Sequence, residues 1–246
     1  MTEPAAAPGT DKTPTRIAGM FDAIAPRYDL LNRVLSAGFD VRWRARAIRS
    51  LMLSGSETVL DLCTGTADVA IAAAGAAPGA RRVIGIDFAM QMLRLGRQKL
   101  PSRGLESRVH LAQGDAMCLP VAAASVDAVT VAFGIRNVQR PEATFAEVFR
   151  TLRPGGRFAI LEFGTPTAPV VRQAYLAYFR FVLPRIGSLV SGHASAYTYL
   201  PASVGTFPEP GRVVAMLENV GFRSVRAVPL TLGVVYLYSA QKPSTR

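Results

Sequence analysis

From Ser56 onward, short apolar runs alternate with longer segments whose apolar residues recur at helical spacing, the pattern of a sheet built from βαβ units. It predicts strands from Thr58 to Leu62, Arg82 to Ile86, Val109 to Ala112, Val126 to Ala132 and Arg157 to Glu162. Helices are predicted between them, from Asp68 to Ala74, Ala89 to Leu100 and Ala143 to Leu152. The alternation stops near the end of the chain, where apolar runs from Val225 to Pro229 and Val234 to Ala240 are separated only by Leu230 to Gly233. A parallel crossover needs about a dozen residues, so these two strands must form an antiparallel hairpin. The expectation is an α/β fold with a seven-stranded, mostly parallel sheet ending in that hairpin.

Two regions fall outside the scheme. Residues 17–53 read as a helical, arginine-rich lead-in, and residues 169–210 as an insertion between the fifth strand and the last helix. An insertion there hangs over the carboxyl ends of the strands, where open α/β sheets bind ligands, and is the natural place for a substrate lid. Residues 1–16 are rich in Ala, Pro, Thr and Gly without the basic start and apolar stretch of a secretory signal, and read as a disordered tail. The rest, 17–246, reads as one domain.

Half of the 246 residues are apolar, enough for one sizeable core. No uninterrupted apolar run reaches the roughly 18 residues of a spanning helix. The formal net charge is +11, from 28 Lys and Arg against 17 Asp and Glu, and it admits nucleic acid, anionic lipid or an acidic substrate as partner. Cys63 and Cys118 lack metal or disulfide spacing, which suits a reducing cytoplasm and predicts no metal site. His110 and His193 are isolated.

Candidate chemistry begins at the turn Asp61-Leu62-Cys63-Thr64-Gly65-Thr66-Ala67-Asp68, which follows a strand and opens a helix. Gly65 lets backbone approach a ligand closely, with Thr66 beside it. The dinucleotide fingerprint G-x-G-x-x-G is absent, and Asp61 would repel a phosphate while attracting an ammonium. The second strand ends at Asp87, about 20 positions beyond the glycine turn, where an acid accepts from ribose hydroxyls. The third ends in Asp115-Ala116, where a carboxylate suits an adenine amino group and a backbone N–H faces the ring. Ammonium, ribose and adenine together describe S-adenosylmethionine. The competing reading of each acid is a cap on the following helix.

Two longer signatures then carry a resemblance: Tyr28-Asp29-Leu30-Leu31-Asn32-Arg33-Val34-Leu35-Ser36 followed by Trp43, and Arg150-Thr151-Leu152-Arg153-Pro154-Gly155-Gly156 ending at Glu162. Between them stands Phe133-Gly134-Ile135-Arg136-Asn137-Val138, and after them Tyr197-Thr198-Tyr199-Leu200-Pro201. From Met20 to about Gln241 the chain resembles class I S-adenosylmethionine methyltransferases with their Rossmann-like sheet. Within them it resembles the quinone-biosynthesis C-methyltransferases that act on demethylmenaquinone or a polyprenyl benzoquinol. It departs from that pattern at Leu31 for Met, Asp40 for His and Ala132 for Ser.

The resemblance implies methylation of a ring carbon of a polyprenyl quinol, with demethylmenaquinol preferred and a methoxy-benzoquinol as the alternative. Arg136 is the candidate to stabilise the phenolate, Asn137 to orient the hydroxyl and Asp115 to relay its proton through water. The competing role for Arg136 is a salt bridge to Glu162 or Asp68. Asp61, Gly65, Thr66, Asp87, Asp115, Ala116 and Ala132 are the cofactor candidates, and Tyr28, Asn32 and Tyr197 the lid candidates. Tyr175, Tyr178, Phe179 and Phe181 have near-helical spacing, which more often means core than ligand contact. A lipid-borne substrate also gives the basic charge a meaning, as attraction to the anionic inner face of a membrane from the cytoplasm. Nucleic acid is not expected as a partner, because no Asn/Asp-Pro-Pro-Tyr string follows the fourth strand, and a homodimer is left open. A non-catalytic binding protein is the rival from another class.

Overall fold

The computed structural model describes residues 12–182, 185 and 194–244. Its seven strands are β1 (Thr58–Leu62), β2 (Arg82–Asp87), β3 (Val109–Gln113), β4 (Val126–Ala132), β5 (Leu152–Phe163), β6 (Arg223–Leu230) and β7 (Val235–Gln241). They lie in the order β3-β2-β1-β4-β5-β7-β6, with β7 antiparallel to both neighbours and the remaining pairs parallel. The hairpin follows from its short link, and it sets the tip, residues 231–234, beside the carboxyl end of β5 through the pair Phe163 and Val235.

The central strand β1 is buried at every position because helices cover both faces of the sheet. Val59 and Asp61 face one side, where α3 (Phe39–Ser50) and α4 (Asp68–Gly75) supply Trp43, Ala47, Ile48, Val69 and Ala70. Leu60 and Leu62 face the other, with Phe145 and Val148 of α6 (Pro141–Thr151) and Val213 and Leu217 of α9 (Pro210–Val220). The period-2 alternation of a strand thus sorts β1 into two cores. α5 (Met90–Lys99) packs beside β2 and β3.

The lead-in consists of α1 (Pro14–Ile24), a 3-10 turn (Ala25–Arg27), α2 (Tyr28–Leu35) and α3. α1 starts inside the stretch read as a tail. Gly38, at φ +78°, makes the corner between α2 and α3, a conformation that strains a residue with a Cβ. A chain of charges then ties the lead-in to the sheet's helices. Buried Asp40 accepts from the Ser36 hydroxyl at 2.9 Å and pairs with Arg44 at 3.3 Å. Arg44 reaches Asp68 of α4 at 2.5 Å, and Lys99 of α5 bridges Asp68 (2.7 Å) and Asp29 of α2 (2.5 Å). Asp40, the departure from the family's His, is therefore a member of this network. The insertion holds α7 (Pro169–Ala177), a π-helical turn (Tyr178–Val182) and α8 (Ala194–Thr206). No helix among the described residues is long and apolar enough to cross a membrane.

Candidate active site

The loops leaving the carboxyl ends of β1, β2, β3 and β4 surround a first cavity lined by Gly65, Asp87, Asp115, Ala116 and Ala132, with Lys12, Ile17 and Phe21 of the N-terminal segment above. The loops after β1 and β4 touch closely. A Cβ on Gly134 would lie 2.2 Å from the Cβ of Cys63, and Cys63 (φ +51°) and Phe133 (φ +58°) both hold left-handed backbone that ordinary side chains avoid. Strain of this kind persists only where the surroundings over-determine it, and here it brings two strand ends together.

Asp87 accepts from the amides of Gly65 and Ala89, both at 2.8 Å, so it fixes the glycine turn while facing the cavity. Burial raises its pKa despite those amides. Asp115 accepts from the Met117 amide at 2.8 Å and also faces the cavity. A Cβ on Gly65, which sits at φ +55°, would project toward the Tyr28 ring at 4.0 Å, into the space a ligand would take. Two carboxylates and a cradle open at glycine fit a cationic nucleoside better than a pyrophosphate.

Two of the residues read as cofactor contacts, Asp61 and Thr66, are not among those lining this cavity. Asp61 is fully buried and does not line the cavity. It accepts from the Thr64 hydroxyl at 2.6 Å through Oδ2, while its Oδ1 has no hydrogen-bond partner. Burial raises its pKa to about 7. A side chain on the central strand points into a core, and the turn folds over it. Thr66 is likewise buried, its hydroxyl donating to Asp29 at 2.5 Å, so it ties the turn to α2.

A second, larger cavity of about 430 Å³ adjoins the first, with Phe21, Tyr28 and Phe133 lining both. Its walls are mostly apolar: Leu31, Trp43, Phe163, Tyr175, Leu200 and Leu232 among them, from the lead-in, β5, the insertion and the hairpin tip. Phe133, Phe163 and Trp43 form an aromatic wall with centroid separations of 4.6, 6.2 and 6.4 Å. The Trp43 Nε1–H donates to Thr231 at 2.8 Å, which holds that ring against the hairpin.

Arg136 lines this second cavity and is also ion-paired with fully buried Glu162 at 2.7 Å. The competing salt-bridge reading therefore coexists with the ligand-facing one. The guanidinium also donates to the Phe133 carbonyl and lies 5.3 Å over the Phe163 ring, while its Nε has no partner. Glu162 further accepts from the amides of Arg136 (3.2 Å) and Phe163 (2.8 Å), so a charge pair and two amides fix the loop after β4. Asn137 lines the first cavity and accepts from the Tyr199 hydroxyl of α8 at 3.2 Å, which pins the insertion to that loop. The three catalytic candidates are thus divided: Arg136 in the second cavity, Asn137 and Asp115 in the first. Asp115 does not line the second cavity, and the relay role read for it has no geometric support.

Tyr28 and Asn32 line the second cavity, and burial raises the Tyr28 pKa against the opposing influence of Asn32. Tyr197 lies on α8 with its side chain outside the described residues, as does His193. Arg150 of the second signature braces Glu147 and the carbonyls of Leu119 and Val121, a structural role. Sequence reasoning assigned no site role to Lys12, Phe21, Phe163 or Leu232. Nothing in their local spacing marks them, because each reaches the site from a distant element.

The family model described as the ubiE/COQ5 methyltransferase family matches residues 10–242. The chain is 50% identical over 233 residues to the ubiquinone/menaquinone biosynthesis C-methyltransferase UbiE of Syntrophotalea carbinolica, covering 94% of each. It is 46% identical to the demethylmenaquinone methyltransferase of Thermus thermophilus, covering 91% of this chain and all of that one, and 48% to that of Deinococcus radiodurans, covering 91% of each. A solved structure of a putative S-adenosyl-L-methionine-dependent methyltransferase from Methanococcus maripaludis shares the fold at TM-score 0.60 and 16% identity, over all of this chain and 99% of the other.

Proposed function

The chain belongs to the ubiE/COQ5 methyltransferase family, and we propose that it methylates a ring carbon of demethylmenaquinol to give menaquinol, with S-adenosylmethionine as donor. The observation that carries this reading is the pair of joined cavities, one edged by Asp87 and Asp115 and the other apolar with Arg136 at its wall. Asp87 would hold the ribose, Asp115 with the Ala116 amide the adenine, and the open turn at Gly65 the amino-acid end. Bound there, S-adenosylmethionine supplies a methyl group made electrophilic by its sulfonium.

The protein's own residues account for the acceptor side. A quinol carbon becomes nucleophilic as the neighbouring hydroxyl loses its proton, and Arg136 offers that oxygen a positive charge already fixed by Glu162 and Phe163, so little reorganisation is needed. The aromatic wall presents flat faces to a flat ring and keeps water out, while Phe21, Tyr28 and Phe133 stand where acceptor and donor must meet. Holding the two in line supplies much of the rate. A fused naphthoquinol ring covers more of that wall than a benzoquinol, and the Thermus and Deinococcus relatives bear the demethylmenaquinone name. The polyprenyl tail puts the substrate in a bilayer, so the protein works from the cytoplasm at an anionic membrane face.

The test is methyl transfer from labelled donor to short-tailed demethylmenaquinol and to the matching methoxy-benzoquinol. A kcat/KM at least about tenfold higher for the naphthoquinol is expected, a difference of about 1.4 kcal/mol. The reverse order assigns the benzoquinol, and transfer to neither removes the reading.

A further inference from the structure

The second cavity opens on a surface whose composition is unusual for a water-facing rim. Phe39 and Leu232 line the cavity and are also 40% and 75% exposed. Val41 on α3 and Leu176 and Phe181 on the insertion are exposed as well. Arginines accompany them: Arg42 lies 5.6 Å over the Phe39 ring, Arg180 5.4 Å over Phe181, and Arg33 and Arg172 are exposed on α2 and α7. Three chain segments contribute most of the cavity lining, residues 31–44, 171–178 and 231–234. Between them they hold a single acid, Asp40, which is 3% exposed and ion-paired. Arg33, Arg42, Arg44 and Arg172 stand in these segments against that one acid, while Asp87 and Asp115 line the cofactor cavity.

We propose that this rim is a docking face for a bilayer rich in anionic phospholipid, with Leu232 and Phe39 entering the acyl boundary and the arginines meeting headgroups, so that a lipid-borne acceptor passes into the cavity without crossing water. The inference rests on the quinol reading for its purpose, but the surface chemistry stands without it. Exposed apolar side chains ringed by cations match the interface, where burial of apolar area and attraction to anionic lipid add. Leu232 sits at φ +58° on the hairpin tip, and holding a large apolar residue there exposed is costly unless something covers it.

The molecule carries its own reporter. Its single tryptophan, Trp43, stacks on Phe39 at 6.1 Å and bonds Thr231 next to Leu232. The full chain is mixed with quinone-free vesicles of phosphatidylcholine, with and without phosphatidylglycerol, and with phosphatidylcholine brominated on its acyl chains. Sedimentation that requires phosphatidylglycerol, together with quenching of Trp43 by the bromolipid, is expected. Leu232→Asp should lower partitioning about tenfold, as loss of one inserted leucine implies. Met52→Asp, an equally exposed apolar site in left-handed backbone at the opposite end of the sheet, should change it less than about twofold, being outside the docking face. Absence of sedimentation, sedimentation independent of phosphatidylglycerol, sedimentation without quenching, or equal loss in the two variants each overturns the proposal. Because the vesicles hold no quinone, these outcomes are separate from failure of transfer to a short-tailed quinol in solution, which would remove the catalytic reading instead.

Discussion

Replacing Asp61 by Asn removes a charge that the fold buries under the cofactor turn. The carboxyl is fully buried, its Oδ2 is satisfied by Thr64, and its Oδ1 has no hydrogen-bond partner, so desolvation dominates and the pKa rises from the usual 3.8 to about 7. Between those values the folded protein holds a proton that the unfolded chain has released. Stability then falls as pH rises through the window, and levels off above about 7. At about 1.36 kcal/mol per pKa unit the whole effect is about 4 kcal/mol. Asn keeps the shape and an acceptor for Thr64 while having nothing to ionise. The unfolding free energy of Asp61→Asn relative to wild type should therefore grow by about 2 kcal/mol between about pH 5.5 and about pH 8.5, in favour of the variant. Urea unfolding of both proteins at matched pH values measures it, and taking the difference cancels the other titrating groups. A difference that stays flat, or that shrinks as pH rises, would show that Asp61 is ionised at little cost in the folded state and would refute the burial argument.

Other substitutions probe the two cavities. Asp87→Ala removes a carboxylate that anchors the Gly65 turn and faces the cavity; isothermal titration should find S-adenosylmethionine bound about a hundredfold more weakly, as loss of charge-assisted hydrogen bonds to two ribose hydroxyls implies. Arg136→Met strands fully buried Glu162 and should cost about 3–5 kcal/mol in thermal or urea unfolding. Adding Glu162→Gln should restore most of that stability without restoring methyl transfer, and recovery of both would confine Arg136 to a structural role. Gly134→Ala drives a Cβ against Cys63 and should destabilise by about 1–3 kcal/mol with weaker donor binding. Pairing it with Cys63→Gly should relieve the clash, since Cys63 already occupies left-handed backbone.

The strands and helices of the sheet were legible because their periodicity is set by faces that must be buried. β1, β4 and the helix α4 begin where the pattern puts them, and the short link Leu230 to Gly233 could close only as a hairpin. That Asp87 and Asp115 at strand ends reach one cavity was legible for a similar reason: a parallel sheet sends its carboxyl ends to one edge. That Asp61 and Thr66 are buried beneath the turn and do not line the cavity was not legible, because strand-end position does not tell whether a side chain turns toward the cleft or under it. The direction is set by the turn's φ values, by Thr64 folding back onto Asp61 and by α2, which supplies Asp29 as the partner of Thr66.

Local pattern and residue chemistry sufficed to read the layered α/β core, the acidic strand ends and the family from the sequence. Tertiary structure decided which residues share a cavity. Phe21 from the lead-in, Phe133 after β4, Tyr175 from the insertion and Leu232 from the hairpin tip meet around one space, though they are scattered along the whole chain. No period within a segment encodes a contact between segments, so that meeting, and the apolar, arginine-rimmed mouth it creates, exists only once the sheet has gathered its loops at one edge.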